Sequence, residues 1–129
     1  MGVTLMVIPT KSVNGIAFGT DRETVRKTFG EFREFKKGPF SKNTTDAFKD
    51  FHIYYDEDNR FEAIEIYGAD VVVDNRKLFP GKLSGFLSVF PDLSSEEKGY
   101  WTSKTQSVGL TAPNRKIEGV LFGKSGYYK

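Results

Sequence analysis

The chain is 129 residues long, 38% hydrophobic, 28% charged and 15% aromatic, which suits one soluble domain, 1–129, and argues against disorder. It has no cysteine, so disulfides, thiol nucleophiles and thiolate metal sites are excluded. The formal net charge of +2 is too mild to imply nucleic-acid binding by itself.

The opening "MGVTLMVIPTKS" carries no positive n-region, and its apolar run is too short for a signal peptide or a membrane span. It predicts a strand over Val3–Ile8 ended by Pro9, and a cytoplasmic protein. "GIAFGTDRETVRKTFG" follows. Thr20 and Glu23 have the spacing of a capping box, Val25 and Phe29 share a helical face, and Gly30 suits the left-handed residue after a helix end. A Walker loop would need Gly-Lys-Ser/Thr and a dinucleotide fingerprint Gly-x-Gly-x-x-Gly, and neither is present. The stretch therefore reads as strand, turn and helix rather than a phosphate cradle.

"EFREFKKGPF" predicts an extended segment ended by Gly38-Pro39, and "SKNTTD" a polar loop. "FKDFHIYYDEDNRFEAIEIYG" predicts a hairpin with strands near 50–56 and 60–67 around the Asp-Glu-Asp-Asn turn. "ADVVVDN" reads as a short strand. Leu83, Phe86, Leu87 and Phe90 have helical spacing, and Pro91 stops them. "DLSSEEKGYWTSKTQ" is a loop or ragged strand, and "SVGLTAPNRKIEGVLFG" a second hairpin turning at Ala112–Arg115.

This order predicts an α+β fold, mostly antiparallel β-sheet with two short helices packed on one face. "NRFEAIEIYG" echoes "NRKIEGVLFG", which opens a tandem β-α-β-β repeat as one option, with halves 13–68 and 69–129. Such a repeat would imply one continuous antiparallel sheet.

His52 is the only histidine, so any histidine-dependent catalysis must use it. Asp50 could orient it from the same strand face; the alternative is a polar cross-strand cluster with Tyr54 and Glu62. Asp56-Glu57-Asp58-Asn59 begins like a calcium loop, but Phe61 stands where glycine is needed and Tyr67 where glutamate is needed. Alternation sends Glu62 and Glu65 to opposite strand faces, so they are no acid–base pair. No enzymatic activity, catalytic residue, metal or cofactor is expected.

From Asp46 to Asp70, eight acids (Asp46, Asp50, Asp56, Glu57, Asp58, Glu62, Glu65, Asp70) stand against Lys49 and Arg60. Tyr54, Tyr55, Phe61 and Tyr67 are interleaved with them. Two readings stay open: the wet face of an antiparallel sheet, or a contact surface for a basic partner. The contact reading selects Tyr54, Tyr55, Asp56, Glu57, Asp58, Glu62 and Glu65, with the sole tryptophan, Trp101, as a further anchor. Basic pairs elsewhere (Lys36-Lys37, Arg76-Lys77, Arg115-Lys116, with Lys98 and Lys104 around Tyr100-Trp101) supply an alternative, a single-stranded nucleic-acid-binding module. The acidic hairpin would repel phosphates, which disfavours it.

"GIAFGTDRETVRKTFG…DAFKDFHIYYDEDNRFEAIEIYG" resembles small bacterial cytosolic immunity proteins of contact-dependent growth inhibition and other polymorphic toxin systems. The likeness covers Gly15 to Gly68 and, more faintly, Val108 to Tyr128. It implies a non-enzymatic antidote that binds a cognate toxin domain and blocks its active site. Such toxins are often nucleases with cationic clefts, so the implied partner is a basic protein domain, with no membrane partner.

Overall fold

The computed structural model describes residues 3–36, 38–39 and 43–128. Strand β1 (Thr4–Ile8) buries Leu5 and Val7 while Met6 and Ile8 face solvent, the alternation of a strand covered on one side. It leads into β2 (Ser12–Val13) and β3 (Ile16–Ala17), joined by Asn14-Gly15 with both φ positive, at 49° and 79°. Asn-Gly is the pair a two-residue hairpin turn prefers. The Asn14 side chain also accepts the Met6 N–H at 2.7 Å, so it braces β1.

Helix α1 (Arg22–Phe29) forms where the sequence places it, but its cap differs. Asp21, not Thr20, is the N-cap: its carboxylate accepts the Thr24 N–H at 3.1 Å, while the Thr20 hydroxyl donates to the Ala17 carbonyl at 2.7 Å. Aspartate wins because its charge also complements the helix N-terminus. Asp21→Ala should lower stability by about 1 kcal/mol in a urea melt. Gly30 closes α1 at φ 89°, and its N–H donates to the Arg26 carbonyl.

Four antiparallel strands follow: β4 (Arg33–Lys36), β5 (Thr44–Ala47), β6 (Phe51–Tyr55) and β7 (Phe61–Ile66). The expected loop over "SKNTTD" is thus corrected from Thr44 onward. Thr44 and Thr45 suit a pleated strand, and Asp46 is anchored on its inner face. Then come β8 (Asp70–Val73), β9 (Arg76–Phe79), helix α2 (Leu83–Val89), β10 (Ser94–Glu97), β11 (Tyr100–Ser103), β12 (Val108–Thr111) and β13 (Gly119–Gly123). Asp74-Asn75, both at positive φ, make the β8–β9 turn. The ragged segment after Pro91 resolves into the β10–β11 hairpin.

The fold is α+β, mostly antiparallel, with two short helices. One continuous sheet is not what forms. An eight-stranded antiparallel sheet runs β10-β11-β12-β13-β7-β6-β5-β4, and a separate five-stranded mixed sheet runs β3-β2-β1-β8-β9. The split follows from β1 and β8 pairing in parallel, Leu5 opposite Val71 and Val7 opposite Val73. The echoing segments meet at the centre of the larger sheet, where β7 pairs antiparallel with β13.

Both helices lie on the inner face of the larger sheet. Phe29 of α1 meets Phe51 edge-on at 5.3 Å, and Phe90 at the end of α2 reaches Phe122 at 6.4 Å. One buried cluster joins Leu5, Val7 and Val71 of the smaller sheet to Ile53, Ile64, Ile66 and Phe122 of the larger. Among the described residues no helix is long and apolar enough to cross a membrane.

Candidate functional site

The β6–β7 turn is built by its own first acid. The Asp56 carboxylate accepts the N–H groups of Asp58, at 2.9 Å, and Arg60, at 3.1 Å, and Asn59 sits at φ 57°. An aspartate bonding the amides ahead of it is a common way to fix a tight turn. Glu57 and Asp58 project from its tip, both exposed. The Asn43 side-chain amide donates to the Asp56 carbonyl and ties the turn to β5.

Between this turn, β5 and the segment after β13 lies a pocket of about 570 Å³. Asp56, Glu57, Asp58 and Glu62 line it, together with Thr44, Thr45, Tyr54, Tyr55 and Tyr127. The Lys124 ammonium reaches in, 3.5 Å from Glu62 and 3.9 Å from Asp56. Four carboxylates thus share a concave, tyrosine-walled space with one lysine. Chemically it suits a cation.

Tyr54 and Tyr55 point to opposite faces of the sheet. Both are buried, at 9% and 6% exposure, so neither is the open anchor the sequence suggests. The Tyr54 hydroxyl donates to Glu65 on the outer face. The Tyr55 hydroxyl donates to Asp46 on the inner face at 2.8 Å. Burial, reinforced by these carboxylates, pushes both phenols well above their ordinary pKa.

Asp46 leaves the acidic surface altogether. Its side chain is fully buried and accepts Arg22 Nη2 at 2.8 Å and Arg26 Nε and Nη2 at 2.7 and 2.8 Å. Burial alone would raise its pKa, but hydrogen bonds from Arg26, Arg22 and Tyr55 outweigh that and hold it below the usual aspartate value. The Arg22 guanidinium also lies over the Tyr55 ring, 4.2 Å from its centre, and donates to Thr44 and Asn59. This cluster fastens α1 to β5 and β6, directly behind the pocket wall. Asp70 is likewise met by Lys77 at 3.6 Å, and the Asp50 carboxylate turns toward Gly68. The protein's own bases therefore neutralise part of the acidic run.

On the outer face His52 stands opposite Glu65, and its ring meets Phe35 and Tyr67 edge-on at 5.1 and 4.9 Å. Burial lowers the His52 pKa, Arg33 adds to the lowering, and Glu65 opposes it. Glu65, not Asp50, is thus its acidic neighbour. Among the described residues no group of three or more His, Asp or Glu side chains could hold a metal ion.

Trp101 is set apart. On β11 it stands opposite Leu110 of β12, packs partly against the core, and lies three strands from β7. No family model, curated protein or solved structure matches this chain. The basic groups are dispersed: Lys36 on the edge strand β4, Lys98 and Lys104 flanking β11, and Arg76-Lys77 on the smaller sheet. Lys37 lies outside the described residues.

Sequence reasoning missed two features. Lys124 and Tyr127 complete the pocket from a tail that carries no motif. A second pocket, about 580 Å³, opens on the smaller sheet beside Met6 and Ile8, which are 56% and 60% exposed. The apolar alternation over Thr4–Ile8 was its only signal.

Proposed function

We propose that the protein is an immunity protein that binds a basic toxin domain, with the pocket at the β6–β7 turn as the contact. One observation carries this reading: an ammonium of the chain itself, that of Lys124, already lies between Glu62 and Asp56 in a pocket walled by acids and tyrosines. A lysine or arginine from a partner would meet the same carboxylates, with Glu57 and Asp58 presented at the rim. Charge arranged this way raises association rate and selectivity and weakens with salt. A nuclease whose cleft is built for phosphates fits as target, the carboxylates taking the substrate's place.

The test pairs the purified chain with the toxin domain that this reading expects to be encoded beside it. Calorimetry should show binding that weakens with salt, and co-expression should restore growth of cells making the toxin. Glu57→Lys with Asp58→Lys should weaken binding at least about tenfold, about 1.4 kcal/mol, with an unchanged melting temperature. Asp56 is left intact because it holds the turn. Unchanged affinity removes this pocket from the interface, and growth that stays blocked sinks the antidote role.

A further inference from the structure

The outer face of the larger sheet gathers tyrosines around the carboxylate of Glu65. Glu65 stands opposite His52 on β6 and Leu121 on β13. To one side lie the rings of His52 and Tyr67, in edge-on contact at 4.9 Å. To the other lie Tyr127 and Tyr128, themselves edge-on at 5.1 Å. Two glycines admit this second pair. A Cβ on Gly123 would fall 2.6 Å from the Tyr127 ring, and one on Gly109 would fall 2.1 Å from the Tyr128 hydroxyl. Small residues in strand interiors mark such close approach. The Tyr128 hydroxyl is held 2.6 Å from that of Tyr100, so the wall is fixed by a hydrogen bond as well as by shape.

Glu65 differs from the other half-buried or buried acids of this sheet. Asp46 has two arginines and Glu62 has Lys124. Glu65 accepts the Tyr54 hydroxyl, and among the described residues no lysine or arginine pairs with it. It keeps access to solvent, as does Tyr67 at 41% exposure. A carboxylate flanked by aromatic rings, with no lysine or arginine of the described residues ion-paired to it, is complementary to one kind of group, an organic cation whose plane can lie on a ring. Guanidinium meets that description better than ammonium: it is planar, weakly hydrated and able to stack while donating to a carboxylate.

We propose that this face receives an arginine side chain of a protein partner, its guanidinium against Glu65 and its plane along Tyr67. The proposal rests on the preceding reading only in taking the partner to be a basic protein. It adds a second contact beside the pocket, linked to it through Tyr54 and Tyr127, which border both.

The test uses the whole chain and the blocked peptide acetyl-Gly-Arg-Gly-amide, followed by NMR at low salt. The arginine peptide should shift the resonances of Glu65, His52 and Tyr67, while the neutral citrulline peptide leaves them in place. Glu65→Gln should weaken the arginine peptide at least about tenfold, and Tyr67→Ala, at an exposed position that leaves folding intact, about threefold. Equal shifts with citrulline, equal affinity for the lysine peptide, no shift at all, or full binding by both variants would each overturn the assignment. A toxin that fails to bind while the arginine peptide does removes the antidote reading alone. A toxin that binds Glu65→Gln at full strength removes this face alone.

Discussion

Asp46→Ala should lower the unfolding free energy by about 3–5 kcal/mol, the largest effect expected of any single charge in the molecule. Asp46 is fully buried and holds both Arg22 and Arg26, whose side chains are only 13% and 27% exposed. Without it Arg22 loses its carboxylate, Arg26 keeps only the half-exposed Glu34 at 3.1 Å, and the Tyr55 hydroxyl loses its acceptor. The loss is the penalty of stranded charge, which exceeds the net worth of the intact cluster. Asp46→Asn should fall between, because it keeps an acceptor but not the charge.

The same carboxylate gives stability an acid limb. Its folded pKa lies below the ordinary aspartate value, so the contribution is fully present above the unfolded pKa. It is lost as pH falls below about 4 through the folded value. Urea melts from pH 7 to pH 2.5 should therefore show wild-type stability declining below about pH 4, with a flatter decline for Asp46→Asn. A parallel decline in the two proteins would assign the acid limb to other carboxylates.

How much of this was legible in the sequence depends on the distance over which each contact acts. α1, the β6–β7 hairpin and the Asp56-Glu57-Asp58 turn depend on neighbours a few residues away, and their bounds were readable within one or two positions. Asn14-Gly15 and Asp74-Asn75 carry a local turn signal as well. The fate of Asp46 does not. Arg22 and Arg26 are four apart, hence on one helical face, but nothing in that spacing says which acid the face will meet. The acidic window therefore counted a buried, twice-paired aspartate as surface. The second sheet has the same cause, since β1 and β8 pair in parallel across more than half the chain. Lys124 and Tyr127 join the pocket only because β13 runs beside β7 and delivers the tail there.

Phe61→Ala should destabilise the protein by about 3–5 kcal/mol, close to the cost of losing Asp46 but by a different route. Phe61 is fully buried, and its ring lies 4.6 Å from that of Phe18, in the segment leading to α1. Its backbone is tied to the same segment: its N–H donates to the Thr20 carbonyl, and its carbonyl accepts the Gly19 N–H, both at 2.8 Å. The residue thus pins the approach to α1 against the strand carrying Glu62 and Glu65, where β6 and β7 shift register. Truncation removes the apolar transfer term and leaves a cavity that two backbone hydrogen bonds keep from collapsing. Phe61→Leu should cost less than about 1.5 kcal/mol, because most of the volume remains. Thermal melts separate the cases, since a loss of 3–5 kcal/mol lowers the midpoint by about 10–20 °C for a chain of this size. In partner binding at a temperature where all variants are folded, Phe61→Leu should match wild type while Glu57→Lys with Asp58→Lys does not. Core packing positions the acids, and the charge at the turn is what a partner would feel.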